Sequence, residues 1–160
     1  MKEMLSARIW KHKEESLLPY TIPETQLKLN KNEIMEIKAR FDHFNFNVLD
    51  LEKSIHFYEQ ALGLKEVRRK TAADGSFILV YLGDGETGFT LELTWLRDRT
   101  EPYDLGESEY HLCLRVAGDY DKIREYHREM GCICYENTDM GLYFISDPDG
   151  YWIEILPLKQ

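Results

Sequence analysis

From residue 41 onward, polar and apolar positions fall into two spacings. In FDHFNFNV, Phe44, Phe46 and Val48 form one row and His43, Asn45 and Asn47 the other, which predicts a half-buried strand. LEKSIHFYEQAL follows, with Leu51, Ile55, Tyr58 and Leu62 near helical spacing. Asp50 is placed to cap its first turn and Gly63 to end it. Three further strand-like runs are LKEVRRKTA, SFILVYLG and GFTLELTWL, separated by the turn pairs Asp74-Gly75 and Asp84-Gly85. The predicted order is βαβββ.

The same order recurs. EYHLCLRV predicts a strand, YDKIREYHREMG a helix ending at Gly131, and CICYE, GLYFISD and YWIEILP the later strands, with Pro148-Asp149-Gly150 as the turn before the last. Setting His43 against His111 brings Val48 opposite Val116, Ile55 opposite Ile123, Tyr58 opposite Tyr126 and Gly63 opposite Gly131. Near the ends, GFTLEL falls opposite GYWIEI, which sets Glu92 against Glu154. An internal repeat of this kind predicts two tandem βαβββ modules, residues 40–97 and 108–158, in an α+β fold.

Residues 1–39 lack this pattern. Pro19 and Pro23 interrupt short amphipathic stretches, so the segment reads as an appendage of one or two short helices. Its charges are scattered and it has no apolar h-region, so it is not read as a signal peptide. No apolar run in the chain approaches the ~20 residues of a membrane span. The net charge of −9 opposes a nucleic-acid surface and favours a small-molecule ligand. Cys113, Cys132 and Cys134 are an odd number and contain no C-x-x-C, so buried free thiols in a reducing cytoplasm are expected.

Four residues change the picture. His43, Glu92, His111 and Glu154 each fall mid-strand in mostly apolar runs, at matched places in the repeat. Singly, each reads as a polar residue on the wet face of an antiparallel sheet. Together they form a two-fold set of two imidazoles and two carboxylates, suited to Zn²⁺, Ni²⁺ or Co²⁺. Such a metal polarises a carbonyl, and a neighbouring carboxylate takes a proton from carbon. No nucleophilic triad, G-x-G-x-x-G or P-loop is visible.

With these residues the repeated modules resemble the vicinal oxygen chelate superfamily, and within it the glyoxalase I (lactoylglutathione lyase) group. The segments LELTW, YDLGESEYHLCLRV and SDPDGYWIEIL are similar to its signatures, and the likeness covers residues 41–157. The resemblance implies a sheet curled around a metal held by His43, Glu92, His111 and Glu154. It implies a homodimer whose sites form between subunits, with His43 and Glu92 from one chain and His111 and Glu154 from the other. It implies isomerisation of the hemithioacetal of methylglyoxal and a thiol to S-D-lactoylthiol, with Glu154, helped by Glu92, as the catalytic proton carrier. The short segments between ligands resemble the nickel- or cobalt-activated class more than the zinc-dependent one. Other metal-dependent members, a thiol transferase or a dioxygenase, and a small-molecule binding or resistance protein are the alternatives. Glu92 favours the glyoxalase, because dioxygenases and fosfomycin-modifying members use only His, His and Glu.

Members that use glutathione usually carry Arg and Asn four residues after the first two ligands, where this chain has Asn47 and Leu96. Arg115, the repeat mate of Asn47, is either a pocket cation or a rim salt-bridge partner. Asn47, Arg115 and Trp152, which shares the row of Glu154, are therefore the candidate substrate contacts. Trp95 reads as a packing residue, and His12, His56 and His127 read as surface residues.

Overall fold

The structure, a computed structural model, describes residues 35–158. Most of the proposed appendage, including His12, lies outside the described residues; residues 35–40 are exposed and form neither helix nor strand. Phe41 opens the compact unit that carries the regular elements of the described residues.

The first module consists of β1 (His43–Val48), α1 (Leu51–Leu62), β2 (Lys65–Thr71), β3 (Phe77–Gly83) and β4 (Thr90–Leu96). The second consists of β5 (Leu112–Val116), α2 (Tyr120–Glu129), β6 (Ile133–Asn137), β7 (Leu142–Ser146) and β8 (Trp152–Pro157). Each module is a four-stranded sheet, ordered β1-β4-β3-β2 and β5-β8-β7-β6. The first strand runs parallel to the last, and the other pairs are antiparallel. The helix in each module is the crossover that such a parallel pair requires.

Local chemistry fixes the ends of α1 as the sequence predicts, and the start of α2 in the same way. Asp50 accepts a hydrogen bond from the Lys53 backbone N–H at 3.0 Å, and Asp119 does the same for Lys122 at 3.2 Å. Gly63 follows α1 at φ +69°, a left-handed cap that a side chain would strain. The Asp84-Gly85 connection is wider than a two-residue hairpin. The Asp84 carboxylate accepts from the backbone of Glu86 and Thr87 and so organises the turn itself.

Apolar rows from both modules form one core. Phe46, Val48, Leu91, Leu93, Ile145, Ile153 and Ile155 are all buried. Phe46 stacks on Tyr151 of the second module, with ring centroids 4.0 Å apart. Phe44 departs from its expected place in this row: it is 40% exposed, edge-on to Phe46 near the open end of β1.

The turn before β8 is also a joint between modules. Asp147 is buried and accepts from the hydroxyl of Tyr58 on α1 at 2.8 Å. Asp149 accepts from the Leu49 backbone at 3.1 Å and from the Ser54 hydroxyl at 3.3 Å. Desolvation raises the Asp147 carboxyl above its ordinary range, against the pull of the Tyr58 hydroxyl and of the Tyr151 and Asp149 backbone N–H groups.

His127 corrects the expectation of a surface residue. It is fully buried on α2, with Nε2 at 2.7 Å from the Ala61 carbonyl and Nδ1 at 2.9 Å from the Tyr143 hydroxyl. A carbonyl only accepts, so Nε2 carries the proton and Nδ1 accepts from Tyr143. Burial lowers its pKa. Helical spacing alone could not reveal that this position of α2 lies against α1. His56, by contrast, is exposed as expected.

The three cysteines are free, but the expectation of burial fails for Cys113, which is exposed; Cys132 and Cys134 are half-buried. Cys113 sits on the face of β5 away from the core row.

Candidate metal centre

Glu92 is on β4, opposite in facing to the buried Leu91 and Leu93. Parallel pairing sets Asn45 of β1 beside it and His43 one diagonal away. His43 Nε2 comes within 3.3 Å of Glu92 Oε2. The second module repeats this arrangement: Glu154 pairs with Cys113 of β5, and His111 Nε2 lies 3.3 Å from Glu154 Oε2. Both imidazoles are 39% exposed, over carboxylates that are 11% and 17% exposed. The histidines stand at the mouths of their strands, not mid-strand: His43 opens β1, and His111 immediately precedes β5. The diagonal reach from the mouth is what brings each ring over its glutamate.

The His43 pair has the electronic character of a cation site. Nδ1 is 2.7 Å from the Asp42 carboxylate, which only accepts, so the Nδ1 proton points there. In the neutral ring that leaves the Nε2 lone pair facing a carboxylate oxygen, two acceptors that a shared cation, a proton or a metal ion, reconciles. Metal–donor bonds of about 2.0–2.2 Å at tetrahedral or octahedral angles place neighbouring donors about 3 Å apart, close to the observed separation. Each module therefore fits half of a four-ligand site. Among the described residues, no group of three or more His, Cys, Asp or Glu side chains is gathered to hold a metal. The four residues selected from sequence thus come together two by two.

The two carboxylates have different surroundings. Asn45 Nδ2 donates to Glu92 Oε1 at 3.2 Å and to Thr94 Oγ1 at 2.6 Å, and Thr94 Oγ1 donates to the same Oε1 at 3.0 Å. Tyr81 also hydrogen-bonds Glu92, which raises the pKa of its hydroxyl. Glu154 has Cys113 as its strand neighbour. Partial desolvation of its sulfur first, and then a hydrogen bond to Glu154, push the Cys113 thiol up to about 12, so in the metal-free protein it remains a protonated donor. Glu92 is thereby held, while Glu154 faces a single weak donor of that kind.

Asn45, Thr94 and Tyr81 are functional neighbours that the sequence reading did not select. Asn45 and Thr94 share the rows of His43 and Glu92, which is the signal that marks them; Tyr81 is hidden in the apolar run of β3. Of the candidate substrate contacts, Trp152 is half-buried and stacks on Tyr135, with centroids 6.3 Å apart and planes 18° apart. Arg115 is an exposed side chain that donates to the Pro157 carbonyl at 2.8 Å. Asn47 is half-buried, and its backbone carbonyl accepts from the Tyr151 hydroxyl at 3.1 Å.

Known proteins are similar to this chain in sequence and fold. Residues 40–155 match the model of the Glyoxalase/Bleomycin resistance protein/Dioxygenase superfamily. The chain is 39% identical over 128 residues to a lactoylglutathione lyase of Neisseria meningitidis, covering 76% of this chain and 92% of the relative. It is 37% identical over 125 residues to a probable lactoylglutathione lyase of Synechocystis, covering 71% and 92%. Among solved structures, the trypanothione-dependent glyoxalase I of Leishmania major superposes with a TM-score of 0.66 at 32% identity, covering 75% of this chain and 87% of that one. The chain belongs to the glyoxalase/bleomycin resistance protein/dioxygenase superfamily, and within it to the lactoylglutathione lyase group.

Proposed function

We propose that this protein is a metal-dependent lactoylglutathione lyase of the glyoxalase I type. It isomerises the hemithioacetal of methylglyoxal and a low-molecular-weight thiol, glutathione or another, to S-D-lactoylthiol, and so detoxifies methylglyoxal. The observation that carries this reading is the matched pair of half-sites, His43–Glu92 and His111–Glu154, each with its nitrogen and oxygen 3.3 Å apart.

In this reading the protein is a homodimer with two shared sites. His43 and Glu92 of one subunit and His111 and Glu154 of its partner hold one divalent metal. Two imidazoles and two carboxylates suit nickel, cobalt and zinc, and the short segments between the ligands favour nickel or cobalt, with zinc as the alternative. When bound, the metal supplies Lewis acidity at the substrate oxygens.

The residues of the chain do the proton work. Glu154 takes the proton from the carbon that bears sulfur and returns it to the neighbouring carbon, so no external oxidant or reductant is needed. Glu92, pinned by Asn45, Thr94 and Tyr81, keeps its position and assists. Trp152, beside Glu154 on β8, lines the apolar side of the pocket, and Asn47 and Arg115 contact the thiol. No helix among the described residues is long and apolar enough to cross a membrane. The free cysteines suit a reducing cytoplasm.

The test is thioester formation from methylglyoxal and glutathione by protein loaded with Ni²⁺, Co²⁺ or Zn²⁺. Glu154→Gln, which keeps the shape and removes the base, is expected to lower kcat by at least about 100-fold with thermal unfolding little changed. Absence of thioester with glutathione and with other small thiols would contradict the assignment.

A further inference from the structure

The two half-sites differ along one line across each sheet. In the first sheet, Arg68 pairs with Tyr81, Tyr81 with Glu92, and Glu92 with Asn45. Directly paired residues share a face, so these four form a row on the side of the metal pair. The matching row of the second sheet is Tyr135, Phe144, Glu154 and Cys113. Its outer end is aromatic, whereas that of the first row is cationic.

Arg68 reaches the row through a β-bulge. Lys65 and Glu66 pair with Gly83 and Leu82, and pairing then resumes with Arg68 opposite Tyr81, which leaves Val67 as the extra residue. Without the bulge, alternation would place Val67 opposite Tyr81 and turn Arg68 to the other face. Val67 instead lies over Gly83, where an added Cβ would meet its Cγ1 at 3.0 Å.

Once on this face, the Arg68 guanidinium stacks on Tyr81 with Cζ 3.6 Å from the ring centroid. Tyr81 in turn meets the His43 ring edge-on, with centroids 5.7 Å apart. Among the described residues, Arg68 takes part in none of the ion pairs that hold its neighbours. Arg69, next along β2, is gripped by both oxygens of Glu66 at 2.9 and 2.7 Å. In a chain of net charge −9, Arg68 is thus a cation positioned against Tyr81 and paired with no carboxylate among the described residues.

We propose that Arg68 recognises a carboxylate of the thiol and sets a preference for an anionic thiol such as glutathione. The inference rests on the glyoxalase reading of the site. Strands about 4.8 Å apart place Arg68 about 10 Å from Glu92, two strands away. An extended peptide spans about 3.5 Å per residue, so a carboxylate one or two residues from the reacting sulfur falls within reach of the long arginine side chain. A guanidinium fork matches such a carboxylate in shape as well as charge.

The test is calorimetric titration of the metal-loaded protein with S-hexylglutathione and with its diethyl ester, which lacks the free carboxylates. Wild-type protein is expected to bind the free acid more tightly. Arg68→Gln should weaken the free acid about tenfold and leave the ester within about twofold, with a matching rise in KM and little change in kcat. Metal content should be unchanged, which excludes a collapse of Tyr81 onto His43. Equal losses for both ligands, no loss at all, or transfer of the whole effect to Arg115→Gln would overturn the proposal. If no thioester forms but the acid is still preferred through Arg68, the reaction assignment fails and the recognition stands. If turnover is normal and Arg68→Gln is silent, the recognition alone fails.

Discussion

Asn45 donates a 3.2 Å hydrogen bond to Glu92, the glutamate of the first half-site. The residue at the same place in the second module is Cys113, a weaker donor, so the repeat is symmetric in its ligands and asymmetric in what restrains them. Groups that orient metal ligands typically contribute 10–100-fold to metal affinity. Asn45→Ala is expected to weaken metal binding by about tenfold or more, whereas Cys113→Ala should change it by less than about threefold. Competition with a chelator of known affinity measures both. Equal effects would show that the Asn45 amide does not hold Glu92.

His127 makes stability depend on pH. Its folded pKa lies below the ordinary 6.5 because burial disfavours the charged ring. The unfolded chain therefore binds the proton first. The contribution is fully present above about 6.5 and is lost as pH falls below that value towards the folded pKa. The raised Asp147 carboxyl acts in the opposite direction: it favours folding as pH falls towards its unfolded range. Urea unfolding between pH 7.5 and 5.5 should show declining stability in wild-type protein, and His127→Gln should flatten the slope. An unchanged slope would remove His127 as its source.

Tyr58→Phe removes the hydroxyl that the buried Asp147 carboxylate accepts from at 2.8 Å. A buried acceptor deprived of a partner costs about 1–3 kcal/mol, so the urea midpoint should fall with the slope m unchanged. Asp147 also accepts from the Asp149 and Tyr151 backbone at 2.9 Å each, so the joint loosens without coming apart. A midpoint equal to that of wild type would indicate that Tyr58 contributes nothing to the joint.

The repeat and both helices were legible because they depend on short-range chemistry: alternation, a capping aspartate, a glycine after a helix. What escaped the sequence depends on pairing across strands or between modules. Arg68 is an example, since strict alternation assigns it to the wrong face and only the extra residue at Val67 returns it to the site. The same device recurs in β6, where pairing jumps from Ile133 to Tyr135 and Cys134 is the extra residue. His127 escaped for a related reason: its burial is set by Ala61, 66 positions away in sequence. Phe44 fits its row, but the row outlasts the core at the open end of β1.

The central claim is that each metal site takes one half from each of two subunits. His43→Ala and His111→Ala, each alone, should be inactive, because each removes one ligand from both sites of a homodimer. Mixed after subunit exchange, the two variants form heterodimers in which one site has lost both histidines and the other has lost neither. The mixture should therefore regain about a quarter of wild-type activity, since half of the dimers are heterodimers and each has one intact site of two. Recovery of thioester formation at that level is the predicted result. A mixture that stays inactive, although labelled subunits demonstrably exchange, would contradict the shared site.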